Sequence, residues 1–103
     1  MKKITLYIGL NDKETKTQLI STLDAYRITT NILEVDSTIK ECKGVYTHDD
    51  GTITTENTLE VVLLDFDNTL DKGWVIRKVN DIKQALNQES VAYQEEDIKS
   101  ELL

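Results

Sequence analysis

A chain of 103 residues, 39% apolar and 30% charged, holds enough material for one domain with one apolar core layer and too little for two packed sheets. Its net charge of −7 repels phosphate backbones, which disfavours direct nucleic-acid binding and favours a basic partner, a nucleic-acid-binding protein included. The single cysteine, Cys42, forbids an intrachain disulfide and fits a reducing, cytoplasmic setting, and no stretch approaches the length of a membrane span.

Ile4, Leu6 and Ile8 alternate with Thr5, Tyr7 and Gly9, which predicts a strand with those three apolar side chains facing the core. Asn11 or Asp12 offers a helix N-cap, and Leu19, Ile20, Leu23, Tyr26 and Ile32 recur at helical spacing, so the spacing predicts a helix over 12–33. Residues 37–47 are β-branched and alternating, and His48-Asp49-Asp50-Gly51 supplies an Asp-Gly hairpin turn. The return strand runs from Thr52 to about Phe66. Its nearly continuous apolar half, Leu59 to Leu64, suits a central position.

Asn68, Thr69 or Asp71 can cap a second helix with a core stripe of Val75, Val79, Ile82 and Leu86. Val91-Ala92-Tyr93 then starts a last short strand. The tail, 95–103, is charged, with apolar punctuation at Ile98, Leu102 and Leu103; it can extend the strand, form a turn of helix or dock on another subunit. The expected fold is α+β: a ferredoxin-like split βαβ unit over 1–94, with an antiparallel four-stranded sheet and two helices on one face. Such a fold says almost nothing about activity.

Residues 61–70, Val-Val-Leu-Leu-Asp-Phe-Asp-Asn-Thr-Leu, resemble the first motif of the haloacid-dehalogenase-like phosphatases. The resemblance implies a nucleophile at Asp65, a general acid/base at Asp67 and a Mg²⁺ ion between carboxylate and phosphate. The match covers a short stretch only, and the acidic pair that the family carries downstream has no counterpart in the remaining residues. A strand that leaves the core at Asp65 and turns through Asp67, Asn68 and Thr69 accounts for the same residues. The phosphatase is therefore the least favoured reading, and no cofactor is implied.

His48 lies beside Asp49 and Asp50 at the hairpin tip, without the three or four convergent ligands that a metal needs, so it reads as part of a solvated turn. Cys42 sits mid-strand and reads as a small buried hydrophobe. Trp74 reads as a core or half-core residue. One constellation follows from the topology. The end of the first strand, the hairpin strands and the start of the last strand should share one rim, gathering Asn11, Asp12 and Gln18 with Tyr46, Glu56, Asn57 and Thr58 and with Gln88 and Ser90. With the first helix's N-terminus pointing there, this edge would take a small polar or anionic ligand or a protein partner. Mutual capping of the loops is the competing account.

The segments 9–18, 56–59 and 87–91 together resemble a family of small proteins of Gram-positive bacteria and their phages that has no assigned activity. The resemblance implies the fold and a bacterial or phage cytoplasmic setting, and it transfers no catalytic residue. Two functions fit. The first is a non-enzymatic, acidic interaction protein, of phage or mobile-element origin, that binds a protein partner. The second is a homo-oligomeric binder or sensor of a nucleotide or metabolite, its site completed by a neighbouring subunit through strand pairing or the tail.

Overall fold

The computed structural model describes residues 1–65 and 69–103. Along the chain run β1 (Lys2–Gly9), α1 (Thr22–Leu33), β2 (Thr38–Thr47), β3 (Ile53–Asp65), α2 (Lys72–Ala85) and β4 (Ala92–Asp97). The strands form one sheet in the order β2-β3-β1-β4, and every neighbouring pair is antiparallel. This is the ferredoxin-like, split βαβ arrangement expected of an α+β domain.

The period-two pattern of β1 and β3 explains where the core sits. Ile4, Leu6 and Ile8 stand directly opposite Leu63, Val61 and Leu59, so six apolar side chains share one face. Ala25 and Leu33 from α1 and Val75 and Ile82 from α2 close over them, and all ten residues are buried. Each fully buried leucine or isoleucine contributes on the order of 1.5–3 kcal/mol relative to exposure. Both helices pack on that face. The opposite face carries the other parity, Thr5, Tyr7 and Gly9 beside Val62, Glu60 and Thr58, and remains open. The Tyr7 hydroxyl donates to Glu60 there, and Lys40 pairs with Glu60 at 3.1 Å.

The structure corrects the expected span of the first helix. Residues 12–20 are not helical, and α1 starts at Thr22 with Ser21 as its N-cap, whose hydroxyl accepts the Asp24 N–H. The expected caps Asn11 and Asp12 do other work: Asn11 pairs with Gln18 as an isolated bridge, and Asp12 accepts the N–H groups of Glu14 and Thr15. Side-chain bonds of this kind compete with helix formation wherever Asp or Asn precedes a polar run. The predicted stripe shifts with the start. Leu19, Leu23 and Tyr26 are exposed, and Ala25, Thr29 and Leu33 face inward instead.

Elsewhere the expected elements need only trimming. Gly51 takes φ 87° at the hairpin tip, where a Cβ would strain the turn. Asp71 caps α2 by accepting the Trp74 N–H at 2.8 Å, and Val75, Ile82 and Leu86 are buried with Val79 packed against them. Asn68, the alternative cap, lies outside the described residues, as does Asp67. β4 continues through Glu95 and Glu96 to Asp97, opposite Lys2, so the first part of the charged tail extends the strand. No helix among the described residues is long and apolar enough to cross a membrane.

Candidate functional site

Three polar segments meet at the Gly9 end of β1. The Leu10 N–H donates to the Asn57 carbonyl, and the Asn57 amide donates to Gln18 Oε1 at 2.8 Å. Gln88 Nε2 donates to the Asn11 carbonyl at 2.7 Å, and the Lys13 N–H donates to the Asn87 carbonyl. The Asp12 carboxylate is fully engaged, with Oδ1 accepting two backbone N–H groups and Oδ2 accepting the Asn87 amide at 2.8 Å. These bonds, the Asn87 one foremost, hold its carboxyl below the usual aspartate range.

Together they wall a cavity of about 410 Å³ on the open face of the sheet. Its floor follows from register. Tyr46 and Thr54 are partners across β2 and β3, Gly44 and Glu56 likewise, and Tyr7 faces Ala92 across β1 and β4. The loop from Asn11 to Lys16 and the segment Gln88–Ala92 form the sides.

Glu56 is the centre of this floor. Its carboxylate lies over Gly9, where a Cβ at position 9 would overlap it. Oε2 accepts the Asn11 N–H at 2.9 Å. Burial raises the Tyr46 phenol above the ordinary tyrosine value, and the neighbouring Glu56 charge and their hydrogen bond add to the shift. Tyr46 is thus a neutral donor beside an acceptor carboxylate, and Tyr46 and Tyr7 border the same space. Two π-faces near a carboxylate suit a ligand that is flat and aromatic in one part and cationic in another.

Of the residues expected at the rim, Asn11, Asp12, Tyr46, Glu56, Gln88 and Ser90 line the cavity. Gln18, Asn57 and Thr58 do not. Gln18 donates to the Ile20 carbonyl and the Thr22 hydroxyl, Asn57 joins it, and Thr58 is 3% exposed beneath Gly44. Capping and cavity therefore divide the rim between them. The expected helix N-terminus is absent from it, because α1 begins at Thr22 with its Ser21 cap.

The cavity also takes Lys13, Lys16 and Glu89, which lie on the same expected rim segments as Asn11, Asp12 and Gln88, and Tyr7, His48 and Thr54, which lie outside them. His48, read as part of a solvated turn, bonds through Nε2 to the Thr54 hydroxyl at 2.6 Å. Parity was the available signal, since His48 shares a face with Tyr46, and Tyr7 shares one with Gly9. Asp65 belongs elsewhere. It pairs with Lys2 at the far end of β1, is 3% exposed, and accepts the N–H groups of Thr69 and Leu70. Its two oxygens are thus both taken by backbone N–H groups.

No protein-family model matches the chain, and no curated protein matches it either. Solved structures do. A phage SAM lyase in complex with S-methyl-5′-thioadenosine superposes with a TM-score of 0.72 at 24% identity, covering 93% of this chain and 80% of that one. The same kind of enzyme in its apo state gives 0.67 at 24% identity, over 92% and 78%. A point mutant of CutA1 from Pyrococcus horikoshii OT3 gives 0.54 at 13% identity, over 99% and 87%. At these identities the likeness shows a shared fold, and one of the proteins that share it is phage-encoded and binds a small nucleoside thioether.

Proposed function

We propose that the rim cavity binds an adenosyl sulfonium or thioether, and that the chain cleaves S-adenosylmethionine to S-methyl-5′-thioadenosine. The observation that carries this reading is the Glu56 carboxylate held between Gly9, Tyr46 and Asn11 on the floor of a cavity large enough for a nucleoside. The likeness to a phage lyase that holds the thioether supports it.

The chemistry suits the site. S-Adenosylmethionine carries a positive sulfur, which a carboxylate and two aromatic faces attract. When an oxygen of the substrate's own carboxylate attacks the carbon next to sulfur, a carbon–oxygen bond forms to give a lactone, the carbon–sulfur bond breaks and its electrons return to sulfur, so the positive charge on sulfur disappears as the transition state forms. The aromatic rings of Tyr7 and Tyr46 beside the carboxylate favour the sulfonium when it binds. Tyr46, neutral like any tyrosine near pH 7, donates to the Glu56 carboxylate and fixes it.

The test is direct. The full chain is incubated with S-adenosylmethionine and the products are separated by liquid chromatography, alongside a thermal-shift titration with S-methyl-5′-thioadenosine. The thioether should accumulate and should raise the melting temperature, with Glu56→Gln slower by about 100-fold or more, the scale of losing a charged hydrogen-bonding group in a site. Neither product nor shift at millimolar ligand would reject the reading.

A second reading, a partner-binding protein, draws on a different feature. Val45 and Ile53 are 64% and 67% exposed near the end of the β2–β3 hairpin, and the chain's net charge is −7. Two exposed apolar side chains flanking the polar hairpin turn, on an acidic body, suit a protein contact, with a basic partner or between copies of this chain. Sedimentation of the pure protein separates the two: self-association that Ile53→Lys abolishes assigns the tip to a homo-oligomer.

A further inference from the structure

We infer that Lys13 and Lys16 hold the carboxylate of the ligand's amino-acid end, so that the cavity selects a dipolar ligand. The inference rests on the adenosyl reading above and names the part of the ligand that the rim recognises.

The charged groups around the cavity are not evenly placed. Glu56, Tyr46 and His48 come from the β2–β3 side. Lys13 and Lys16 come from the β1–α1 loop, and both also border the adjoining shallow depression that Lys83 of α2 lines. Neither lysine forms an ion pair with a described residue. Lys13 lies near enough to Asp12 to help keep that carboxyl ionised, but the Asp12 oxygens are already spent on N–H donors. Glu89 lines the same wall as a counter-charge. The loop thus brings two lysines to the side of a cavity whose floor holds a carboxylate.

Lys16 is held there at a cost. Its φ of 61° lies in the left-handed region, which glycine enters freely and lysine does not. The conformation is fixed by its own N–H, which donates to the Asp12 carbonyl, and by the Asn11–Gln18 bridge that closes the loop. Folding stability alone would favour glycine at this position. A cationic end for a carboxylate and an anionic, aromatic end for a sulfonium together match a zwitterion such as S-adenosylmethionine better than its neutral fragment.

The experiment uses uncleaved ligands on the full chain: S-adenosylhomocysteine, its decarboxylated form, S-methyl-5′-thioadenosine and adenosine 5′-monophosphate, each by isothermal titration. The wild-type chain should bind S-adenosylhomocysteine about tenfold more tightly than the decarboxylated form, the scale of one charge-assisted hydrogen bond. Lys13→Gln with Lys16→Gly should erase that preference while leaving the affinity for S-methyl-5′-thioadenosine within about twofold. Lys16→Gly alone should raise the melting temperature, which guards against mistaking a folding defect for lost recognition. Binding of S-methyl-5′-thioadenosine with an undiminished preference in the double variant overturns the lysine assignment alone. Tighter binding of the monophosphate than of S-adenosylhomocysteine also overturns it, by giving the lysines to a phosphate. Failure of S-methyl-5′-thioadenosine to bind the wild-type chain overturns the adenosyl reading and this inference with it.

Discussion

The covered face of the sheet and the rim at the Gly9 end of β1 are built by different physics. On the covered face, apolar side chains at period two meet their opposite numbers in register and exclude water, and almost any residue of the right size and polarity would serve. At the rim, few large apolar groups are buried. Shape comes from Asp12, Glu56 and Gln88 bonding to backbone N–H and C=O groups, and from the Asn87 amide donating to the Asp12 carboxylate, across up to 77 positions of sequence. The core tolerates exchange of like for like; the rim is specified atom by atom, and the cavity sits there.

Truncating the core should separate the two regions most sharply. Leu63→Ala leaves a void under both helices and should cost about 2–5 kcal/mol in a denaturant titration, a large share of a small domain's stability. The cavity should lose ligand only when the whole chain unfolds. Gly9→Ala sharpens the comparison from the other side. The added methyl displaces the Glu56 carboxylate, the flexible end of a side chain, so stability should fall by only about 1 kcal/mol or less. Ligand affinity should nevertheless drop by about tenfold or more, a size typical of losing a charged contact. Equal losses in both measurements would erase the distinction between frame and site.

The pH responses should be smaller. The Asp12 carboxyl is lowered from 3.8 by bonds that only its ionised form accepts. Its contribution is complete above the unfolded value and fades as pH falls through the lowered folded one. Asp12→Asn should therefore flatten the acid limb of a melting-temperature profile below about pH 4 and loosen amide protection at residues 12–18. At the alkaline end Tyr93, desolvated and donating to Glu95, is pushed from 10.0 up to about 12. Its contribution is complete below pH 10 and disappears as pH rises through 12. Ultraviolet titration of the phenols should show Tyr93 ionising late, Tyr46 also above 10.0, and Glu95→Gln should lower Tyr93 part of the way while its desolvation shift persists.

The same division governs what could be read from the sequence. Ile4, Leu6 and Ile8 announce a strand because periodicity is local, and Asp50-Gly51 announces a hairpin because a positive φ is local. The convergence of Asn11, Glu56 and Gln88 followed from topology alone. The start of α1 was misjudged because Leu19, Leu23 and Tyr26 mimic a buried stripe, whereas Ser21, three residues before Asp24, was the cap. Lys16 falls within the rim segment expected from topology, but nothing in its neighbours signals its left-handed turn. Tyr7 and His48 were within reach of strand parity. Deciding which polar groups are spent on the loops, as in Gln18 and Asn57, and which face the cavity requires coordinates.

One habit of this chain reaches beyond the cavity. Its bends at Asp12, Asp50, Asp65 and Asp71 are each tied by a carboxylate to backbone N–H groups, and the sequence contains no proline. Corners made this way form as fast as a side chain can rotate. No imide bond has to isomerise over tens of seconds before the native register closes. Refolding from denaturant should proceed without a slow, isomerase-sensitive phase, and the whole domain should be assembled within moments of the strands finding one another.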